Sequence, residues 1–324
     1  MRTLVLNLGN TSLFAGVFSD EHALPRPRPI RNVAASVSEW NSAQTSYVAT
    51  SVSKWSSAQI PNVAASVSEW PPKLPLAHAR GYEGILAQPT AGLIMRFRVP
   101  VREAATTRGF ARLVARRVRG PIDRAALCSV VPALTASVAR HIKQTFGIVP
   151  QILTADAPHG LMIGYRRPRE LGADRLAAAL GAQVLFPKMN VIVVDCGTAT
   201  TVTALRRDGI LAGGAIFPGL SLWAEMLASR TAQLPRIALP QSVAAVGRSS
   251  REAIASGLYH GHAGAIRELI QRVQAEAFGR QKAVVIGTGG HAPRFAREKL
   301  FTVLAPDLIL TGLRAFASSK HDHA

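Results

Sequence analysis

This sequence predicts an α/β fold divided into two domains, on three observations. The chain has 324 residues, where a typical domain takes ~100–200. Short apolar strand segments and amphipathic helical segments succeed one another over most of its length, which is how layered sheets and helices read in sequence. One strand–turn–strand unit also occurs twice, as LVLNLGNTSLFAGVF from Leu4 and as IVVDCGTATTVTAL from Ile192.

The elements follow in order. Residues 3–8 read as a buried strand, Gly9 to Ser12 as a tight polar turn, and Leu13 to Phe18 as the return strand of a hairpin. At about residue 20 the composition shifts to alternating Pro and Arg, and then to a tandem repeat. NVAASVSEW occurs at 32–40 and again at 62–70, with a diverged copy, YVATSVSKW, at 47–55. The repeat is Ser/Ala-rich and has no sustained apolar stripe, which describes an exposed, poorly ordered insertion; a Trp-bearing arm for a partner is the other reading. The insertion, at about 20–90, is expected to be dispensable for folding.

Globular patterning resumes near Ile94. A basic helix is expected over Arg102–Arg119, a strand over 126–131 that Pro132 stops, and helices over Leu134–Phe146 and Glu170–Leu185. Then come the strands 191–197 and 201–205, a helix over Ser249–Ala277, a strand over 282–290, and a last helix beginning near Asp307. The boundary is placed so that residues 1–188 form the first domain, carrying the insertion. Residues 189–324 form the second, the last helix packing back on the first.

Composition excludes several classes. With 48% hydrophobic and 18% charged residues, the chain can offset its conformational entropy by burial, so wholesale disorder is out. Its net charge of +19 attracts anions, yet the Arg clusters lack the aromatic interleaving or recognition motif of a specific nucleic-acid binder. Asn7, Gly9, Asn10 and Thr11 interrupt the apolar start before a signal or membrane segment could form. The only two cysteines, Cys128 and Cys196, sit in apolar runs. A cytoplasmic protein with no membrane partner is expected.

Two polar turns with glycine and Thr hydroxyls can form a clamp for a polyphosphate, because glycine lets backbone amides come close. Each turn alone is commonplace in hairpins. Asp195 ends the run VIVV, where a carboxylate is costly unless it meets a cation or donors; a capping role is the alternative. In GADR, Asp174 is either a helix cap or an acid/base group beside Arg175, whose guanidinium can hold an anionic substrate. The GTGG at 287–290 follows a strand, as nucleotide loops and plain strand-to-helix turns both do.

Taken together, NLGNTSLFAGVF, SVVPALT, YRRPRELGADR, VVDCGTATT, GGAIFPGL, RTAQLP, VGRSSREAIASGL, IGTGG and PDLILTGL resemble, in order and spacing, the type III pantothenate kinases. The resemblance covers residues 1–18 and roughly 90–315. It implies the fold shared by acetate and sugar kinases, Hsp70 and actin: two ribonuclease-H-like domains with the nucleotide in the cleft between them. It also implies a homodimer with the substrate pocket near the subunit interface, and ATP-dependent phosphorylation of pantothenate, the first step of coenzyme A biosynthesis.

Carried across by position, the resemblance makes Asp174 the general base and Tyr165, Gly172, Ala173, Asp174, Arg175 and Ser250 the pantothenate contacts. Asn7, Leu8, Gly9, Asn10, Thr11, Ser12, Leu13 and Phe14 would form the first ATP segment, with Thr198, Gly289 and Gly290 completing the ATP site. Asp195 would hold the activating monovalent cation, potassium or ammonium, and ATP would enter with Mg2+. The sequence departs from the family at Asn7, where an aspartate is the rule, and at Ser250, where a threonine is. A neutral amide recruits hydrated magnesium less well than a carboxylate. That leaves two readings: a kinase, its turnover slowed by Asn7, or a catalytically weakened kinase-like regulatory or binding protein.

Overall fold

The computed structural model describes residues 1–20, 90–241 and 243–319; the tandem repeat lies outside them. The opening hairpin forms as its sequence dictates. Strands β1 (Arg2–Leu8) and β2 (Ser12–Ser19) are almost wholly buried, and such continuous apolar runs suit a sheet covered on both faces. Gly9 N donates to Ser12 O at 3.0 Å to close the turn.

The first sheet is completed by β3 (Leu93–Pro100), β4 (Arg124–Ser129) and β5 (Gln151–Ile152), in the order β3-β2-β1-β4-β5. The second contains β6 (Met162–Ile163), β7 (Val191–Cys196), β8 (Ala199–Leu205), β9 (Ile210–Pro218), β10 (Val284–Thr288) and β11 (Val303–Leu304). Its order is β11-β10-β7-β8-β9-β6. In both sheets a central strand has an antiparallel meander on one side and parallel strands on the other. The ribonuclease-H-like plan therefore occurs twice, as the resemblance implied. Met162–Ile163 adds an edge strand to the second sheet.

The helices are α1 (Val101–Ala104), α2 (Thr107–Phe110), α3 (Pro132–Phe146), α4 (Ala173–Leu185), α5 (Leu220–Arg230), α6 (Ser250–Ser256), α7 (His262–Phe278) and α8 (Leu308–Ser318). Of these, α4 and α8 lie between the sheets. Their Leu176, Leu308, Leu310 and Leu313 share one core with Val5 and Phe14 of the first sheet and Val191 and Val193 of the second. Each fully buried leucine contributes ~1.5–3 kcal/mol of apolar transfer. The two helices cross so closely that a Cβ at Gly312 would collide with Ala177 O, and one at Gly181 with Leu308 O. On the first sheet, Leu310 of the last helix lies against Gly16 of β2.

Several elements differ from expectation. The basic helix over 102–119 is broken: Thr106 accepts from Gly109 N at 3.0 Å and donates to Glu103 O at 2.8 Å, and this cap starts a new helix. A π-type turn, Ala111–Ala115, follows. Pro132 does not stop a strand; β4 has ended at Ser129, and the proline opens α3, where its missing N–H costs nothing. Glu170 sits in a 3-10 turn, so the next helix begins only at Ala173. The expected strand 282–290 shortens to Val284–Thr288. Strands β3 and β9 and helix α5 are additional to the expected elements; in β9 the Gly/Pro content of GGAIFPG masks a strand.

The insertion leaves and re-enters the fold at neighbouring points. Ser19 N donates to Gly92 O at 2.8 Å, and Arg314 of α8 bonds both Ala91 O and Asp20 Oδ1.

Candidate active site

The central strands β1 and β7 end at a common cleft. Asn7 and Leu8 close β1 beside Cys128 and Ser129 of β4, and Asp195 lies beside Thr288 near the end of β7. The two polar turns read from the sequence follow these strand ends directly. In the first, Thr11 O accepts from Val101 N at 3.3 Å, which fixes the turn to α1. Asn10 and Thr11 are exposed there, and neither has a positive φ. In the second turn, Thr198 O accepts from Gly219 N at 3.0 Å.

Asn7 is held by chemistry its sequence did not announce. Its Oδ1 accepts from the Cys128 thiol at 3.2 Å. Burial, and then the charge of Asp174, push the Cys128 thiol well above its ordinary range. The thiol therefore stays protonated and can donate. Asn7, Cys128 and Asp174 thus form one neighbourhood.

Asp174 lies in the first turn of α4, capped by Gly172 and preceded by Ala173. Its Oδ1 accepts from the Arg175 backbone N–H at 2.8 Å. Burial raises its pKa, opposed by that hydrogen bond and by the Arg175 charge. Arg175 is 6% exposed. It donates from Nε to Thr203 Oγ1 at 3.0 Å and from Nη1 to the Tyr165 hydroxyl. Its Nη2 is buried and has no partner among the described residues. An unsatisfied buried donor costs ~1–3 kcal/mol, so this atom marks a place for an oxygen of a bound molecule.

Asp195 is the most perturbed carboxyl here. Burial raises its pKa to about 7, Asp174 adds to the rise, and Arg98 opposes it. No hydrogen-bond donor among the described residues meets it. Gly289, at φ +84°, passes so close that a Cβ there would overlap Asp195 Oδ1; no larger residue fits this approach. Gly290 follows, and His291 N donates to Cys196 O at 3.0 Å, which fixes the loop to the end of β7. A half-buried carboxylate that meets no donor among the described residues suits a cation. Among the described residues no three His, Cys, Asp or Glu side chains gather in metal-binding range. Magnesium brought in with ATP would therefore be held mainly by the nucleotide phosphates and water.

The structure thus brings together the segment Asn7–Phe14, Asp174, Arg175, Tyr165, Asp195 and Gly289. Ser250 lies apart: it opens α6 at the surface, and that helix packs through Ile254 into the core on the other face of the second sheet. Sequence reading missed Arg98, whose guanidinium lies 4.1 Å over the Phe14 ring. The alternation in MRFRV was its signal.

Residues 89–272 match the family model of type III pantothenate kinase. A type III pantothenate kinase of Legionella pneumophila (strain Corby) is 45% identical over 196 residues, 60% of this chain and 77% of that protein. A type III pantothenate kinase 1 of Francisella tularensis subsp. holarctica is 41% identical over 193 residues, 60% of this chain and 75% of that protein. Among solved structures, a Campylobacter jejuni protein described as a conserved putative Baf family transcriptional activator aligns with a TM-score of 0.47 at 18% identity, over 69% of this chain and 90% of that one.

Proposed function

Because this chain belongs to the type III pantothenate kinase family, we propose that it transfers the γ-phosphoryl group of ATP to the primary hydroxyl of pantothenate. The observation that carries the reading is the pairing of Asp174, a carboxylate made more basic by burial, with Arg175, a buried cation with one donor unused. Asp174 takes the hydroxyl proton as the oxygen attacks the γ-phosphorus. The bond from that phosphorus to the β–γ bridging oxygen breaks, and ADP leaves. Arg175 Nη2 and the Tyr165 hydroxyl hold polar oxygens of pantothenate, with Gly172 and Ala173 beside them. The turns at Gly9–Ser12 and Gly197–Thr198, with Gly289 and Gly290, cradle ATP through backbone amides.

Magnesium, when bound with ATP, neutralises phosphate charge. Asp195 is the residue we assign to a monovalent cation, potassium or ammonium. The two cysteines, buried and unbridged, fit the cytoplasmic setting read from the sequence.

A coupled assay with ATP, magnesium, potassium and pantothenate tests the reading. Turnover by the native chain is expected, and Asn7→Asp should raise it by about 10-fold, equivalent to ~1.4 kcal/mol of transition-state stabilisation. The Cys128 thiol can donate to the new carboxylate as it does to the amide, so the substitution needs no repacking. If neither form phosphorylates pantothenate while both bind it or ATP, the chain is a binding protein instead.

The homodimer implied by the family is supported by an exposed apolar face. Ile216 of β9 and Leu222, Met226 and Leu227 of α5 are 63%, 37%, 48% and 37% exposed, the kind of surface that marks an interface. A second copy is also what would bring a Ser250 to pantothenate, given its distance from Asp174 across the sheet. Leu227→Asp should convert the dimer to monomer in light scattering and lower activity with it. A native monomer that is fully active would dismiss both ideas.

A further inference from the structure

We propose that Arg98 is a further catalytic residue, its guanidinium contacting the phosphoryl group in transfer. The proposal rests on the kinase reading above. In the antiparallel register of β2 and β3, Arg98 stands opposite Phe14, the last residue of the first ATP segment. Alternation along β3 sends Met95, Phe97 and Val99 to one face and Arg96 and Arg98 to the other. That second face is the inner one, which the sheet shares with Phe14 and Phe18 and turns toward α8 and the cleft.

The two arginines on this face have different fates. Arg96 is bound through Nη1 to both oxygens of Asp307 at 2.6 Å, at the start of α8. Arg98 has no carboxylate within ion-pair distance among the described residues. Its guanidinium lies over the Phe14 ring, 4.1 Å from the centroid, a contact that braces a planar cation while leaving its edge donors available. It also faces Asp195 across the cleft closely enough for their charges to interact.

The chemistry of the site calls for such a group. Asp174 and Asp195 already interact unfavourably with each other, and a γ-phosphate brings further negative charge. Catalysis of phosphoryl transfer is largely positioning and charge neutralisation, for which a forked guanidinium on the phosphate oxygens serves well. Two cations act on these carboxylates: Arg175 on Asp174 and Arg98 on Asp195. Arg175 is buried on Tyr165 and Thr203 at the pantothenate side. Arg98 alone of the two projects from the sheet that carries the first ATP turn. With Asn7 in place of an acidic residue, a direct protein cation on the phosphate matters more.

The test uses the full chain and the variants Arg98→Met and Arg98→Lys in the coupled assay. Arg98→Met should lose about 10²–10³-fold in kcat, the usual worth of one preorganised charge-stabilising donor, with the KM for pantothenate nearly unchanged. Arg98→Lys should recover only part of the loss, because a point charge lacks the fork. Unchanged kcat in Arg98→Met, with a native chain that phosphorylates pantothenate, overturns this proposal and leaves the kinase reading standing. A native chain without turnover overturns that reading, and Arg98 is then judged by magnesium-ATP titration. There a loss of about 10-fold or more in affinity on Arg98→Met supports the phosphate contact, and equal affinity rejects it.

Discussion

Asp174→Asn is expected to lower kcat for pantothenate by about 10²–10⁴-fold, the common contribution of a positioned general base. The amide keeps an oxygen to accept from Arg175 N–H, as the native Oδ1 does at 2.8 Å, so the start of α4 should stay intact. What is lost is the ability to take up a proton. Magnesium-ATP binding should change little, because the two polar turns and Gly289 do not depend on this carboxylate. The native enzyme should also lose rate on the acid side at a pH above the ordinary carboxylate range, since burial raises the Asp174 pKa. Single-turnover kinetics with the two proteins at matched ATP would decide the matter. A variant that transfers phosphate at the native rate would remove Asp174 from the role of base.

Asp195→Asn should have two opposite effects, abolishing potassium-dependent turnover while stabilising the protein without ligands. In the folded chain this carboxyl titrates at about 7, against ~3.9 in an unfolded one. The folded state therefore holds the extra proton between those values. Stability owed to this group is complete below pH ~4 and is lost as pH rises through ~7, by up to about 4 kcal/mol. The neutral amide avoids that loss. At about pH 8 the variant should melt roughly 5–10 °C above the parent, and the difference should shrink as pH falls toward ~5. Potassium should raise the melting temperature of the parent and leave that of the variant unmoved. A variant that melts lower under the same alkaline conditions, or one that potassium stabilises equally, would show that Asp195 is satisfied within the protein and holds no cation.

The local chemistry of the site was legible in the chain itself. Buried strands with hydrophobic runs, glycine-bearing turns and a carboxylate ending VIVV are features of adjacent residues, so their spacing carries the signal. Hence β1, β2, β7 and β8, the two turns, and the Asp174–Arg175 pair could be read from pattern alone. The helix break at Thr106 escaped because its capping hydrogen bonds outweighed the run of helix-favouring residues around it. The helix start at Pro132 escaped because a proline after an apolar run reads equally as the stop of a strand, although at the first position of a helix its missing N–H costs nothing. What only the tertiary structure decided is which distant groups share an environment. The thiol of Cys128 on Asn7, the unused Nη2 of Arg175, the raised pKa of Asp195 and the separation of Ser250 all depend on how two sheets close around α4 and α8. Burial and electrostatic coupling act through space, and residues such as Phe14 and Arg98, far apart in the chain, acquire them only when strand pairing sets them side by side.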